Sequence, residues 1–132
     1  SSQELAVIAF GSQDPVWIEA LRDGKDLHSV CADLVYGDGW RSVAEPDCAY
    51  MKNQSKCNCV AHGKLRTGVK TINFGLAYGM SELKLADTLQ IPVDDAKELI
   101  KGYFSAFPKI KKFLYTLGGY GVRNGHILTY TP

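Results

Sequence analysis

Apolar residues recur at three- and four-residue spacing over most of the chain, which predicts a mainly helical protein built from several short helices. Asp14 and Pro15 supply a cap and a first helical position for a helix running to Leu21, before Gly24. Asp26 caps a second, with Leu27, Val30, Cys31, Leu34 and Val35 at helical spacing and Gly37 as its stop. Periodicity then lapses over residues 38–62, the longest irregular stretch, and returns from Gly63 to Tyr78, where Gly79 breaks it. Ser81 with Glu82 opens a short helix to about Leu89, and Ile91-Pro92 reads as a turn. Asp94 and Asp95 start another, with Ala96, Leu99, Ile100, Tyr103, Phe104 and Phe107 as its apolar stripe, and Pro108 divides it from a last helix ending near Gly118. Short β segments are expected at both termini. Residues 1–10 are continuously apolar enough to read as a strand or strand-to-helix segment, and residues 126–131 as an edge strand.

The helix over 63–79 is the informative one. With Arg66 at zero on a wheel of about 100° per residue, Leu65, Val69, Ile72 and Leu76 fall within roughly 60° of one another and form the expected buried face. Arg66, Lys70, Phe74 and Tyr78 drift by only about 40° at each step and make a second stripe, two cations followed by two aromatics. Gly68 and Gly75 share a third face, where something is expected to approach the backbone closely. At 1.5 Å per residue, Arg66 to Phe74 spans about 12 Å and Arg66 to Tyr78 about 18 Å, the length of a triphosphate followed by a sugar and base. Arg offers a planar fork to phosphate, Lys a point charge, and aromatic rings offer faces to sugar and base. On the wheel alone the stripe is equally a solvated basic face running into core aromatics.

Size and charge narrow the setting. The 132 residues, 45% hydrophobic, suit one domain. The 15 Lys and Arg balance 14 Asp and Glu, so any nucleic-acid signal must be local. No apolar run approaches the roughly 20 residues that cross a bilayer, and no signal-peptide pattern opens the chain, so a soluble cytoplasmic setting without a membrane partner is expected. Of four cysteines, Cys48, Cys57 and Cys59 precede His62 inside the 38–62 insert. Three thiolates and an imidazole make a tetrahedral Zn2+ set, with Lys52, Lys56 and Lys64 nearby to offset its charge. The spacing is not that of a standard finger, and free thiols or a disulfide formed on purification are the alternatives. Cys31, on a helical apolar face, reads as core.

The stretch Arg66 to Gly79, RTGVKTINFGLAYG, resembles the nucleotide-gripping fingers helix of family A (DNA polymerase I type) DNA polymerases, with Arg66, Lys70, Phe74, Gly75, Tyr78 and Gly79 at the motif's positions. The resemblance implies that Arg66 and Lys70 grip the incoming triphosphate, and that Lys70 protonates departing pyrophosphate. It implies that Phe74 packs on the incoming sugar, disfavouring dideoxynucleotides, and that Tyr78 and Gly79 sit where the templating base enters. SSQELAVIA resembles the family's palm motif, placing Glu4 where a carboxylate blocks a ribose 2′-hydroxyl, and GKDLHSVCADLVYG resembles its second fingers motif, placing His28 against the phosphates. YFSAFPKIKKF and RNGHILT resemble the segments that follow. Ser2, Gln3 and Ala6 depart from the family pattern, so the role of the Arg common at the last site does not carry over.

On this reading the chain is a fingers fragment with palm strands at its ends, part of a DNA-directed DNA polymerase whose partners are dNTP, primer-template DNA and the remainder of the polymerase. Mg2+ would be held by two aspartates outside the chain, one just before Ser1 and one beyond Pro132, so the fragment alone is expected not to polymerise. The insert and Phe74 would suit a phage or bacterial enzyme. The rival is a non-catalytic zinc-bearing helical module that binds nucleic acid or protein.

Overall fold

The computed structural model describes the backbone of residues 2–116, 121–123 and 126–128 and the side chains of residues 3–76 and 79–116. Nine helices occupy the described residues: α1 (Ser2–Ser12), α2 (Pro15–Arg22), α3 (Leu27–Tyr36), α4 (Asp38–Arg41), α5 (Ala49–Asn53), α6 (Val60–Tyr78), α7 (Glu82–Leu89), α8 (Val93–Ala106) and α9 (Pro108–Thr116). A hairpin of β1 (Gly121–Arg123) and β2 (His126–Leu128) follows, antiparallel with Val122 opposite Ile127. The expected terminal strand is thus present over 126–128, and residues 129–131 lie outside those described.

The start of the chain is a correction. Residues 1–10 were expected to hold a strand, but Ser2–Ser12 is helical. Leu5, Ile8 and Ala9 are buried while Val7 and Phe10 stand 64% and 58% exposed, so the helical period governs which apolar groups leave water. Exposed apolar residues filled in the gaps of that period and gave the segment its strand-like continuity. Gln, Glu, Leu and Ala, all good helix formers, make up much of the rest.

The caps follow local chemistry. Asp14 accepts from the Trp17 amide (3.0 Å), Asp26 from the Ser29 amide (3.2 Å), and Ser81 from the Lys84 amide (3.1 Å). Helix α6 runs through the middle of the molecule, packing on α1, α3 and α7, with α8 covering α3 and α7. Val69, Ile72 and Leu76 are fully buried on it, as the wheel predicted, and Leu65 is half-buried. The helix stops because Gly79 takes a left-handed φ of 66°, which lets the Met80 amide return to the Gly75 carbonyl (3.0 Å). The returning Met80 side chain lies so close that a Cβ on Gly75 would come within 2.8 Å of Met80 Cβ. That is the close approach expected on the glycine face. Gly68 has room for a Cβ, its nearest neighbour being Leu99 at 3.5 Å.

The 38–62 insert is not irregular throughout, as its lost periodicity suggested. It forms α4 and α5, and helix α6 begins at Val60 rather than Gly63. Two short helices carry too few turns to show a period. Trp40, Cys48, Tyr50, Cys59 and His62 are all buried there, and the first four join the main core.

Candidate functional site

Arg66, Lys70 and Phe74 of the second stripe of α6 face an open groove of about 630 Å³, whose walls also include Lys56, Thr67, Thr71, Gly75 and Met80. Three cations therefore meet one aromatic ring over a surface one helix long. Lys70 is exposed, whereas Phe74 and Arg66 are half-buried. Arg66 is held by a two-point pair with Asp26, its Nε donating to Oδ2 (2.7 Å) and its Nη2 to Oδ1 (2.9 Å). The same carboxylate caps α3 through the Ser29 amide and hydroxyl. One edge of the guanidinium is thus committed to Asp26, and the Nη1 side remains for an anion.

Behind this stripe a buried amide joins three helices. Asn73, with no exposed surface, donates from Nδ2 to His28 Nδ1 (3.0 Å) and accepts the Tyr103 hydroxyl on Oδ1 (2.5 Å). Because the amide oxygen is taken by Tyr103, its NH2 must face His28, which leaves the imidazole proton on Nε2. His28 also packs on Phe74, with ring centroids 5.4 Å apart. Burial lowers the His28 pKa from 6.5 to about 4, with Arg66 and Lys70 pushing the same way against Asp26. It is a neutral donor at pH 7.

A second cluster sits at the other end of α6. The donor atoms of Cys48, Cys57, Cys59 and His62 all lie within 4.8 Å of one another. His62 Nδ1 is 3.2 Å from Cys57 Sγ and 3.6 Å from Cys48 Sγ. These two imidazole–sulfur separations are close to the edge of a tetrahedron with metal bonds of about 2.0 to 2.3 Å. The other nitrogen, Nε2, donates to the Trp40 carbonyl (2.8 Å), and the indole stacks on the imidazole at 3.6 Å between centroids. The Glu45 amide donates to Cys59 Sγ (3.3 Å). All four cysteines are free thiols. Burial pushes the Cys31 thiol far up, consistent with its expected place in the core.

Comparison with known proteins gives the family. The sequence model described as DNA polymerase family A matches residues 1–131. The chain belongs to DNA polymerase family A. It is 37% identical over 114 residues to a protein named DNA polymerase I from Helicobacter pylori strain J99, covering 86% of this chain and 10% of that one. It is 32% identical over 129 residues to the thermostable DNA polymerase I of Thermus aquaticus, covering 98% of this chain and 13% of that one. Among solved structures, the POL domain of Pol1 from M. smegmatis, in complex with DNA primer-template and dNTP, aligns over 100% of this chain and 21% of its own, with a TM-score of 0.62 and 29% identity. The chain therefore spans about a tenth of the length of the two DNA polymerase I proteins and about a fifth of the solved POL domain.

In this family A chain the structure brings Arg66, Lys70 and Phe74 to one groove, and sets His28 against Phe74. It gathers Cys48, Cys57, Cys59 and His62 at one point. Glu4 lies half-buried in the first turn of α1 and does not line the groove. Gly79 is the buried cap of α6, while the Tyr78 side chain lies outside those described. No helix among the described residues is long and apolar enough to cross a membrane. Asn73 and its bond with Tyr103, the place of Lys56 on the groove wall, and the pairing of Asp26 with Arg66 were not legible in the sequence. A polar amide between Ile72 and Phe74, at the margin of an apolar face, was the available cue for Asn73. Residues 26 and 66 are joined only by the fold.

Two of these groups set the acid response. Partial burial pushes Asp26 up, but the bonds from Arg66 and Ser29 outweigh it and bring the carboxyl from 3.8 to about 2. Both groups have folded pKa values below their unfolded ones, so the unfolded chain binds more protons and stability is lost as the pH is lowered. The His28 contribution is lost between pH 6.5 and about 4, and that of Asp26 between 3.8 and about 2. Both groups are partly solvated, so screening reduces each contribution to roughly 1 to 2 kcal/mol. Denaturant unfolding from pH 7 to 3 should show the upper loss in the native chain and a flat segment above pH 4 in His28→Gln.

Proposed function

We propose that this chain is the part of a template-directed DNA polymerase that takes up the incoming dNTP and the templating base. The observation that supports it most is the groove on α6, where Arg66, Lys70 and Phe74 stand in the order that phosphates and sugar would need. Arg66, tethered by Asp26, would meet a phosphate oxygen with its free edge at little further cost in side-chain entropy. Lys70 would hold a second phosphate and release a proton to the pyrophosphate leaving group. Phe74, braced by His28, would pack against the sugar, and His28 Nε2–H would donate to a phosphate oxygen without adding charge. Glu4 would exclude a ribose 2′-hydroxyl, and Tyr78 with Gly79 would border the templating base.

Primer extension also needs divalent ions, Mg2+ in such an enzyme, which supply charge neutralisation for nucleotidyl transfer. Among the described residues the one group of three or more His, Cys, Asp or Glu placed to share an ion is the Cys48, Cys57, Cys59 and His62 set. The residues of this chain account for binding, orientation and leaving-group protonation. Primer-template DNA and the rest of the polymerase polypeptide are the proposed partners. The Cys48, Cys57, Cys59 and His62 set is read as a structural Zn2+ centre, on the strength of its donor chemistry and separations. Calorimetric titration with dGTP and with dGMP tests the main proposal. Tight preference for dGTP, falling about tenfold or more in Arg66→Ala, is expected. Equal binding of the two, or none of either, would favour the rival zinc-bearing binding module.

A further inference from the structure

Two observations that the nucleotide reading does not use meet at one loop. Lys56 lines the groove on α6, and the next residue, Cys57, is one of the four clustered donors. The other donors come from both sides of that loop. Cys48 precedes α5, Cys59 caps the start of α6, and His62 lies in the first turn of α6. A metal held by all four would tie the loop carrying Lys56 to the N-terminal end of the helix carrying Arg66 and Lys70.

From this geometry we infer that Zn2+ bound by Cys48, Cys57, Cys59 and His62 fixes Lys56 over the groove as a third cationic contact for the triphosphate, so that triphosphate affinity depends on zinc. The inference rests on the reading of the groove as a nucleotide site. The metal half has independent support. His62 is already in the tautomer a ligand needs, since Nε2–H is spent on the Trp40 carbonyl and Nδ1 faces the sulfurs. The Glu45 amide already donates to Cys59 Sγ, as it would to a thiolate. Three thiolates and Zn2+ leave the centre with one negative charge, and binding releases the thiol protons. Thiolate-rich nitrogen and sulfur donor sets select zinc over the harder cations that polymerase chemistry uses.

Without the metal, three thiols and an imidazole make only weak contacts, and residues 54 to 58 belong to neither neighbouring helix. Lys56 is exposed, so nothing but the loop's own path places its ammonium at the groove. A tie one residue away is therefore the part of the structure that decides where that charge stands.

The test combines metal analysis with nucleotide binding on the full chain, purified without chelator under reducing conditions. About one zinc per chain is expected, replaceable by Co2+ with the strong visible absorption of tetrahedral thiolate ligation, and lost in Cys57→Ser. Lys56→Ala should keep its zinc and bind dGTP about three- to tenfold more weakly, with dGMP affected much less. Metal-stripped protein should lose dGTP affinity by a similar factor, and Lys56→Ala should lose nothing further on stripping. Failure to bind zinc in reduced protein, or a disulfide between two of the three cysteines in its place, overturns the inference while leaving the Arg66 and Lys70 site intact. Zinc binding with no effect of Lys56→Ala on dGTP overturns the link to the nucleotide. Absence of any dGTP binding removes that link together with the nucleotide reading, and the metal analysis then decides the centre by itself.

Discussion

Replacing Lys70 with alanine, in a polypeptide that also carries the metal-binding carboxylates, is expected to slow nucleotide incorporation by about 100- to 10,000-fold. The size follows from the two roles proposed for this one side chain. Lys70 is exposed at the middle of the groove, one helical turn from both Arg66 and Phe74, and makes no hydrogen bond or ion pair with another described residue. Its ammonium is free to serve a ligand, unlike Arg66, which Asp26 holds. Loss of the phosphate contact should weaken dNTP binding by about tenfold, and loss of the proton donor should account for the remainder in the chemical step. Lys70→Arg separates them, because a guanidinium binds phosphate but does not give up its proton near neutral pH. Single-turnover primer extension should show that variant with nearly native dNTP affinity and a much reduced maximal rate. A rate within about threefold of native in Lys70→Ala would remove Lys70 from the chemistry.

The second large effect is on stability. Asn73→Leu keeps the heavy-atom count and branching of the buried side chain and removes both of its hydrogen bonds. The Tyr103 hydroxyl and His28 Nδ1 are then left without their partner, each costing about 1 to 3 kcal/mol. A total near 3 kcal/mol is expected, a fall of roughly 8 to 15 °C in melting temperature for a domain of this size. The double variant Asn73→Leu with Tyr103→Phe should recover part of that loss, because the stranded hydroxyl is removed as well. Loss below about 1 kcal/mol would mean the amide is not the tie between α3, α6 and α8. His28 would also lose the bond that keeps its proton on Nε2, so dGTP affinity should fall in the same variant even under conditions where it is fully folded.

What could be read from the sequence, and what could not, follows the range of the interactions. Helix stops and starts at Asp14, Asp26, Gly37, Gly79 and Ser81 are local chemistry, and the structure has each of them where the residues put it. The buried face of α6 is a periodic signal over five turns and was equally legible. At the N-terminus the signal failed, because Val7 and Phe10 are apolar but exposed, and a helix with apolar residues on every side shows no period. The insert failed for a different reason. Its order comes from the contacts of Trp40, Tyr50 and His62, 22 residues apart at the ends, rather than from propensity. In the site, the stripe was visible because one helix carries it. The groups that hold it in place were not, since Asp26 reaches Arg66, and His28 reaches Asn73, only across α3 and α6.

The account turns on the groove of α6 being a triphosphate site, and residue-resolved NMR of the labelled chain titrated with dGTP tests that most directly. Shifts confined to Arg66, Lys70, Phe74, His28 and Lys56, saturating at or below millimolar dGTP and absent with deoxyguanosine, are the predicted result. No shifts at millimolar dGTP, or shifts that deoxyguanosine reproduces, would contradict it.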